Sequence, residues 1–134
     1  MSKFIELCKQ LEAKIVNTYE EGVTLEDAEK LAGEFLYAQM QVSHELKKSD
    51  LDARMRKTGV KAIRAAIYLD IVQKSDKKPT ESQLTAMLDS DSIVTGEQNS
   101  LDEAESNRDE LERYYSIFTN AHIFYRGVAR GSLG

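Results

Sequence analysis

The sequence predicts an all-α chain: a long antiparallel helical hairpin with an additional N-terminal helix and a short linker helix, oligomerising through its helices. Three observations predict it. Apolar residues return at steps of three and four along most of the chain, as a buried helix stripe requires. Strict apolar–polar alternation is missing throughout, so no segment reads as a strand. Proline occurs once, at Pro79, and glycine is sparse until the tail, so few turns are enforced.

The elements follow in order within one helical domain, 1–134. Ser2 can cap a first helix, 1–22, whose apolar face is Phe4, Cys8, Leu11, Ile15 and Tyr19 and which Gly22 ends. Thr24 with Asp27 three residues on resembles a capping box, Asp standing in for the usual Glu or Gln. It opens a second, basic helical region, 24–74, with Ala28, Leu31, Phe35, Val42 and Leu46 in helical period. Asp50 either re-caps a helix after a break at Ser49 or lies inside one that runs through. Gly59 weakens this pattern by about 1 kcal/mol relative to Ala without stopping it. Beyond it Ala62, Ile63, Ala66, Ile67, Leu69 and Ile71 are densely apolar.

Lys74 to Lys78 is a polar connector. Thr80 and Gln83 make a second capping box, opening a short helix, 80–89, through Leu84, Met87 and Leu88. Asp91 then caps a last long helix, 91–130, loosened at its end by Gly127, Gly131 and Gly134. Its seam reads Ala104, Arg108, Leu111, Tyr115, Phe118, His122 and Tyr125, alternating steps of three and four. Small side chains at Ala62, Ala65, Ala66 and Ala104 predict close helix approach. So slender a hairpin buries little per residue, and a remaining apolar stripe predicts a partner chain.

Charge narrows the function. A net charge of −5, from 23 acids against 18 bases, excludes a protein that coats nucleic acid over its whole surface. It leaves room for a local basic patch, because the contact face is what matters. After Glu112 no acid remains, while Arg113, Arg126 and Arg130 do, which points that segment at something anionic. The single cysteine, Cys8, reads as a buried hydrophobe in a reducing cytoplasm. No stretch approaches a membrane span and the N-terminus lacks a signal-peptide layout, so a soluble intracellular protein is expected.

Catalysis is not expected. His44 and His122 stand far apart and outside any metal spacing, and no phosphate loop, dinucleotide fingerprint or nucleophile elbow is present. The acids from Glu97 to Glu112 are interspersed with Asn107 and Arg108, as on a solvated helix face. No cofactor and no metal site is implied.

Binding chemistry is the stronger signal. Lys47, Lys48, Arg54, Arg56, Lys57, Lys61 and Arg64 are interrupted only by the acids Asp50 and Asp52. Arg54, Lys57, Lys61 and Arg64 follow steps of three and four and lie along one face. Cations about one turn apart, roughly 5 Å, can meet successive backbone phosphates. Gly59 removes a side chain within that row and lets a strand approach. The alternative is a solvated face whose cations pair with acids of the last helix. Tyr114, Tyr115, Phe118, Phe124 and Tyr125 carry a similar choice between base stacking and packing. Tyr115, Phe118 and Tyr125 sit on the seam and are assigned to packing; Tyr114 and Phe124 fall off it and are freer.

The segment Arg56-Lys57-Thr58-Gly59-Val60-Lys61-Ala62-Ile63-Arg64, running into Tyr68-Leu69-Asp70, is similar to the basic helix of phage UvsY-type recombination mediators. Pro79-Thr80-Glu81 with Leu84, Leu88, Asp91 and Val94 resembles that family's linker and short helix. The ending Tyr125-Arg126-Gly127-Val128-Ala129-Arg130-Gly131 resembles its Arg-Gly tail. The similarity covers roughly residues 40 to 134 in matching order; the first helix has no counterpart, and Gly59 and the acids opening the last helix depart from the pattern.

The resemblance implies a ring-like homo-oligomer in the cytoplasm of an infected bacterial host. Such a protein binds single-stranded DNA and helps load a RecA-like recombinase onto DNA coated by single-strand-binding protein. It implies phosphate contact by Lys57, Lys61 and Arg64, supported by Arg54 and Arg56. Leu111, Tyr115, Phe118, Phe124, Tyr125 and Arg126 are the expected oligomer interface. Two other readings fit the composition. One is a small acidic phage inhibitor of a host defence complex, working through Asp102, Glu103, Glu105, Asp109 and Glu110. The other is a structural helical assembly protein that oligomerises without binding DNA.

Overall fold

A computed structural model describes residues 2–131, and among these every regular element is helical. The elements are α1 (Ser2–Glu21), α2 (Leu25–Lys74), α3 (Glu81–Ser90) and α4 (Ser92–Ala129). The long helices α2 and α4 pack against each other as a hairpin, with α3 between them in the chain. The expected all-α hairpin is therefore the observed architecture. Two polar contacts give its direction: His122 meets the Ala32 carbonyl, and seven residues back along α4 Tyr115 meets Gln39, seven residues forward along α2.

Local chemistry sets the helix ends. Gly22 adopts φ 80° and its N–H donates to the Thr18 carbonyl at 2.8 Å, closing α1 with a left-handed residue that glycine takes without penalty. Asp27 N–H donates to Thr24 Oγ1 at 3.1 Å, capping α2. At α3 both halves of the capping box form: Gln83 N–H donates to Thr80 Oγ1, and Thr80 N–H donates to Gln83 Oε1. Asp91 Oδ1 accepts from Ile93 and Val94 N–H, starting α4 one residue after α3 ends. The Ser2 side chain and Gly134 lie outside the described residues.

No break occurs at Ser49 and Asp50, and α2 runs through both for 50 residues. It runs through Gly59 as well, where an added Cβ meets nothing within 4 Å. Gly59→Ala is therefore expected to stabilise the protein by about 0.5–1 kcal/mol. A thermal melt checks this, and a lowered midpoint would mean the position is needed as glycine.

The chain divides into two compact units. Unit 1 comprises Met1–Lys47 with Glu110–Gly134 and is a three-helix arrangement of α1, the first part of α2 and the last part of α4. Its core sets Phe35 and the smaller Ala28, Ala32, Ala38 and Val42 of α2 against Leu111, Tyr114, Phe118, Ala121 and Tyr125 of α4. Phe35 packs on Phe118 and Tyr125 at ring-centroid distances of 5.5 and 5.6 Å, and Tyr114 on Phe118 at 5.6 Å. Tilted and offset pairs at this range add stabilisation beyond the area they bury.

α1 contributes Cys8, buried as expected, with Phe4, Ile5, Leu11 and Ile15 partly buried. Tyr19, assigned by the period to that apolar face, is instead 90% exposed. Burial, then the carboxylates of Glu110 and Glu12, push the Cys8 thiol up from the usual 9.0 to about 11. A pKa raised in the folded state contributes stability below about pH 9 that is lost as pH rises through about 11. Cys8 is expected to resist a thiol reagent at pH 8 and to react fully in denaturant. Equal labelling in both conditions would place it outside the core.

Unit 2, Lys48–Asp109, comprises the rest of α2, α3 and the first part of α4. Its buried residues are Ser49, Ala53, Val60, Leu84, Leu88, Val94, Leu101 and Ala104. The close-packing alanines are thus Ala53 and Ala104, while Ala62, Ala65 and Ala66 face solvent. The dense apolar run beyond Gly59 explains this difference: half-buried Ile63, Ile67 and Ile71 take the inner positions, leaving the alanines outside.

Candidate nucleic-acid interface

The basic row lies on α2 within unit 2. Helix geometry sets Arg54, Lys57, Lys61 and Arg64 along one side and turns Arg56 roughly 160° away from Arg54. Three of the five cations are held by acids. Arg54 meets Asp50 at 3.0 Å and Arg56 meets Asp52 at 3.1 Å, each one turn back along the helix. Arg64, half-buried, reaches Asp89 of α3 at 3.1 Å. Among the described residues the row pairs with Asp50, Asp52 and Asp89 and not with acids of the last helix. Four of those acids have partners elsewhere: Glu105 and Asp109 meet Arg108, Glu110 meets Arg113, and Asp102 accepts from Gln98.

Lys57 and Lys61 differ from the three arginines. Both are exposed, and neither has an ion pair among the described residues. Four residues of helix set them roughly 6 Å apart, the span of adjacent phosphates on one strand. Gly59, expected to open this row to a strand, lies two residues from each lysine and so about 160° around the helix from both, on the other side of α2. Pairs such as Arg54–Asp50, with an arginine side chain 76% exposed, are worth only a few tenths of a kcal/mol. A phosphate can replace such a partner at little cost, so Arg54 remains an available contact. Arg64 is less available, since releasing it removes a link between α2 and α3.

The terminal helix departs from expectation in register. Leu111, Phe118 and Tyr125 are 0%, 0% and 1% exposed, so these three expected interface residues form the core of unit 1. Tyr114 is also 0% exposed, while Tyr115 is 37% exposed. The buried stripe therefore runs Leu111, Tyr114, Phe118, Ala121, Tyr125, roughly 40° around the helix from the predicted seam. Aromatic packing against Phe35 and the small α2 residues selects this phase. Tyr115, Phe124 and Arg126 reach solvent, and they are what remains of the expected interface.

Arg113, expected to face an external anion, is bound within the subunit. It meets Glu12 of α1 and Glu110 of its own helix, each at 3.0 Å, and its guanidinium lies 4.5 Å from the Tyr114 ring centroid. The hydrogen bond from Arg113 holds the Glu110 carboxyl below its usual range. Burial pushes the Tyr114 hydroxyl up. Arg126 and Arg130 are exposed, with no ion pair among the described residues.

Two surface features escaped the sequence reading. In unit 1 an apolar groove of about 650 Å³ opens between α1 and α4, lined by Ile15, Thr18, Tyr19, Ile117, Ala121 and Phe124. The Thr18 and Tyr125 hydroxyls hydrogen-bond at its floor. Phe124 was visible as an aromatic lying off the seam, whereas Tyr19 had been assigned to the buried face of the first helix and gave no such signal. The second feature is an outward apolar face on α2. Its signal was the number of large apolar residues, which exceeds what one helix face can hold.

No group of acids, histidines or cysteine among the described residues has a metal-binding arrangement, and no helix is long and apolar enough to cross a membrane. No family model, curated protein or solved structure matches the chain.

Proposed function

We propose that the protein is a self-associating helical DNA-binding protein that works as a recombination mediator. It holds single-stranded DNA on the basic side of α2, and in that role assists loading of a RecA-like recombinase onto DNA covered by single-strand-binding protein. The observation that carries this reading is the pair Lys57 and Lys61: exposed, one turn apart on one face and unpaired among the described residues. The ordered likeness to UvsY-type mediators supports it.

The mechanism is physical. One subunit offers two free lysines and an exchangeable Arg54, which is a weak site. Self-association repeats it along one strand, and linked weak contacts become a single strong one. Each phosphate neutralised releases counterions, so the binding is steeply salt-dependent. Fluorescence anisotropy of labelled oligo-dT at low and moderate salt tests the reading. Binding that weakens steeply with salt is expected; no binding at low salt removes the DNA-binding role.

One observation favours a structural assembly protein instead. Arg54, Arg56 and Arg64 each have an acidic partner, as on a solvated helix surface. That reading keeps self-association and predicts no response to oligo-dT at any salt.

A further inference from the structure

Unit 2 contains one aromatic residue, Tyr68. The core of that unit is aliphatic, built from Val60, Leu84, Leu88, Val94 and Leu101 with Ala53 and Ala104, and Tyr68 is only half-buried. Among the described residues its hydroxyl has no hydrogen-bond partner, and its ring has neither an aromatic nor a cationic one. Helix geometry places it on the basic row. Tyr68 falls between Lys57 and Lys61 in direction around α2, about 20° from each, and seven residues beyond Lys61, roughly 10 Å along the axis. The inner side of the helix, marked by buried Ala53 and Val60, lies roughly 60–80° round from it. A ring at that boundary is anchored on one side and open to solvent on the other. Tyrosine so held is a large, rigid contact surface at small entropic cost.

The lysines alone do not choose between nucleic acids. Cations one turn apart neutralise the phosphates of a duplex as they do those of a single strand. A base stacks on a protein ring only where its own face is free, which an unpaired strand allows and the interior of a duplex does not. A strand with adjacent phosphates on Lys57 and Lys61 continues along the row and passes Tyr68 about two nucleotides further on, within reach of a splayed base. The aromatics of α4 lie in unit 1, where Tyr114, Phe118 and Tyr125 are buried. Tyr68 is thus the one stacking candidate that shares a unit with the basic row.

We propose that Tyr68 is the base-stacking residue of this interface and the group that makes it prefer an unpaired strand to a duplex. The role rests on the DNA-binding reading of the row and adds to it the source of strand selectivity. Lys57 and Lys61 supply affinity for any phosphate backbone; Tyr68 supplies the discrimination.

Paired titrations of labelled oligo-dT and of a duplex of the same length, at one low salt concentration, test it. Tyr68→Leu keeps an apolar side chain and removes the ring. It is expected to weaken oligo-dT binding about tenfold while leaving duplex binding unchanged. Tyr68→Phe is expected to keep the preference, because stacking uses the ring and not the hydroxyl. The chain contains no tryptophan, so Tyr68→Trp carries a unique fluorophore. Its emission is expected to be quenched by oligo-dT and not by the duplex, whereas Tyr37→Trp, exposed on α2 in unit 1, shows no quench. If Tyr68→Leu fails to fold, the quench decides alone. Equal affinity of the unmodified protein for the two probes overturns the stacking role. So does a folded Tyr68→Leu protein with an unchanged preference, or a Tyr68→Trp protein that binds oligo-dT unquenched; the DNA-binding reading survives all three. Failure of the unmodified protein to bind either probe overturns both.

Discussion

Phe118→Ala is expected to unfold most of the protein. The side chain is fully buried and packs on Phe35 and Tyr114 in the aromatic cluster of the unit 1 core. Removing a buried phenyl ring costs about 3–5 kcal/mol, from the lost transfer energy and the cavity left behind. The whole stability of a domain this size is about 5–15 kcal/mol, so little margin remains. Urea denaturation followed by circular dichroism reads the effect as a large fall in midpoint. Phe124→Ala is the comparison. That ring is 51% exposed and meets only the edge of Tyr125, at 5.3 Å, so its removal should lower the midpoint far less. The contrast separates two roles for neighbouring aromatics of one helix. A Phe118→Ala protein that keeps its midpoint but falls apart into subunits would return this residue to an interface.

How much of this was legible depends on how local the cause is. Helix ends were readable because their chemistry sits within four residues: Gly22 after α1, Thr24 before α2, Thr80 with Gln83 at α3, Asp91 before α4. The phase of the α4 stripe was not. Tyr114 and Tyr115 are adjacent and equally bulky, and steps of three and four accommodate either. What decides between them is Phe35 and the small residues Ala32 and Ala38, some eighty positions away in sequence. The fate of the cations divides the same way. Asp50 with Arg54 and Asp52 with Arg56 stand at the spacing that pairs on a helix surface, and the sequence already contained both. Arg64 with Asp89 and Arg113 with Glu12 depend on which helices meet, 25 and 101 positions apart. The outward face of α2, with exposed Leu51, Met55 and Leu69, was hidden differently. α2 is apolar on two opposite sides, and the outer set blends into the inner one when the helix is read for a single face.

Replacing Lys57 and Lys61 together by alanine is expected to weaken binding of oligo-dT about tenfold or more at low salt, with secondary structure intact. Both side chains project from a continuous helix into solvent, and neither supports a neighbour among the described residues, so any loss is a loss of contact. The salt dependence is the more discriminating readout. Each phosphate neutralised on a single strand contributes about 0.7 to the slope of log affinity against log salt, so losing two should flatten it by about 1.4 per subunit. Arg56→Ala is the control, because Arg56 lies on the far side of the helix in an ion pair with Asp52. It should leave affinity and slope unchanged. Arg64→Ala is the instructive intermediate. It removes a cation from the row and also the link to Asp89, so its lost affinity should come with a lowered melting midpoint. If the double lysine variant binds as tightly as the parent with the same slope, the two lysines are ordinary surface charge. The structural assembly reading then replaces the DNA-binding one.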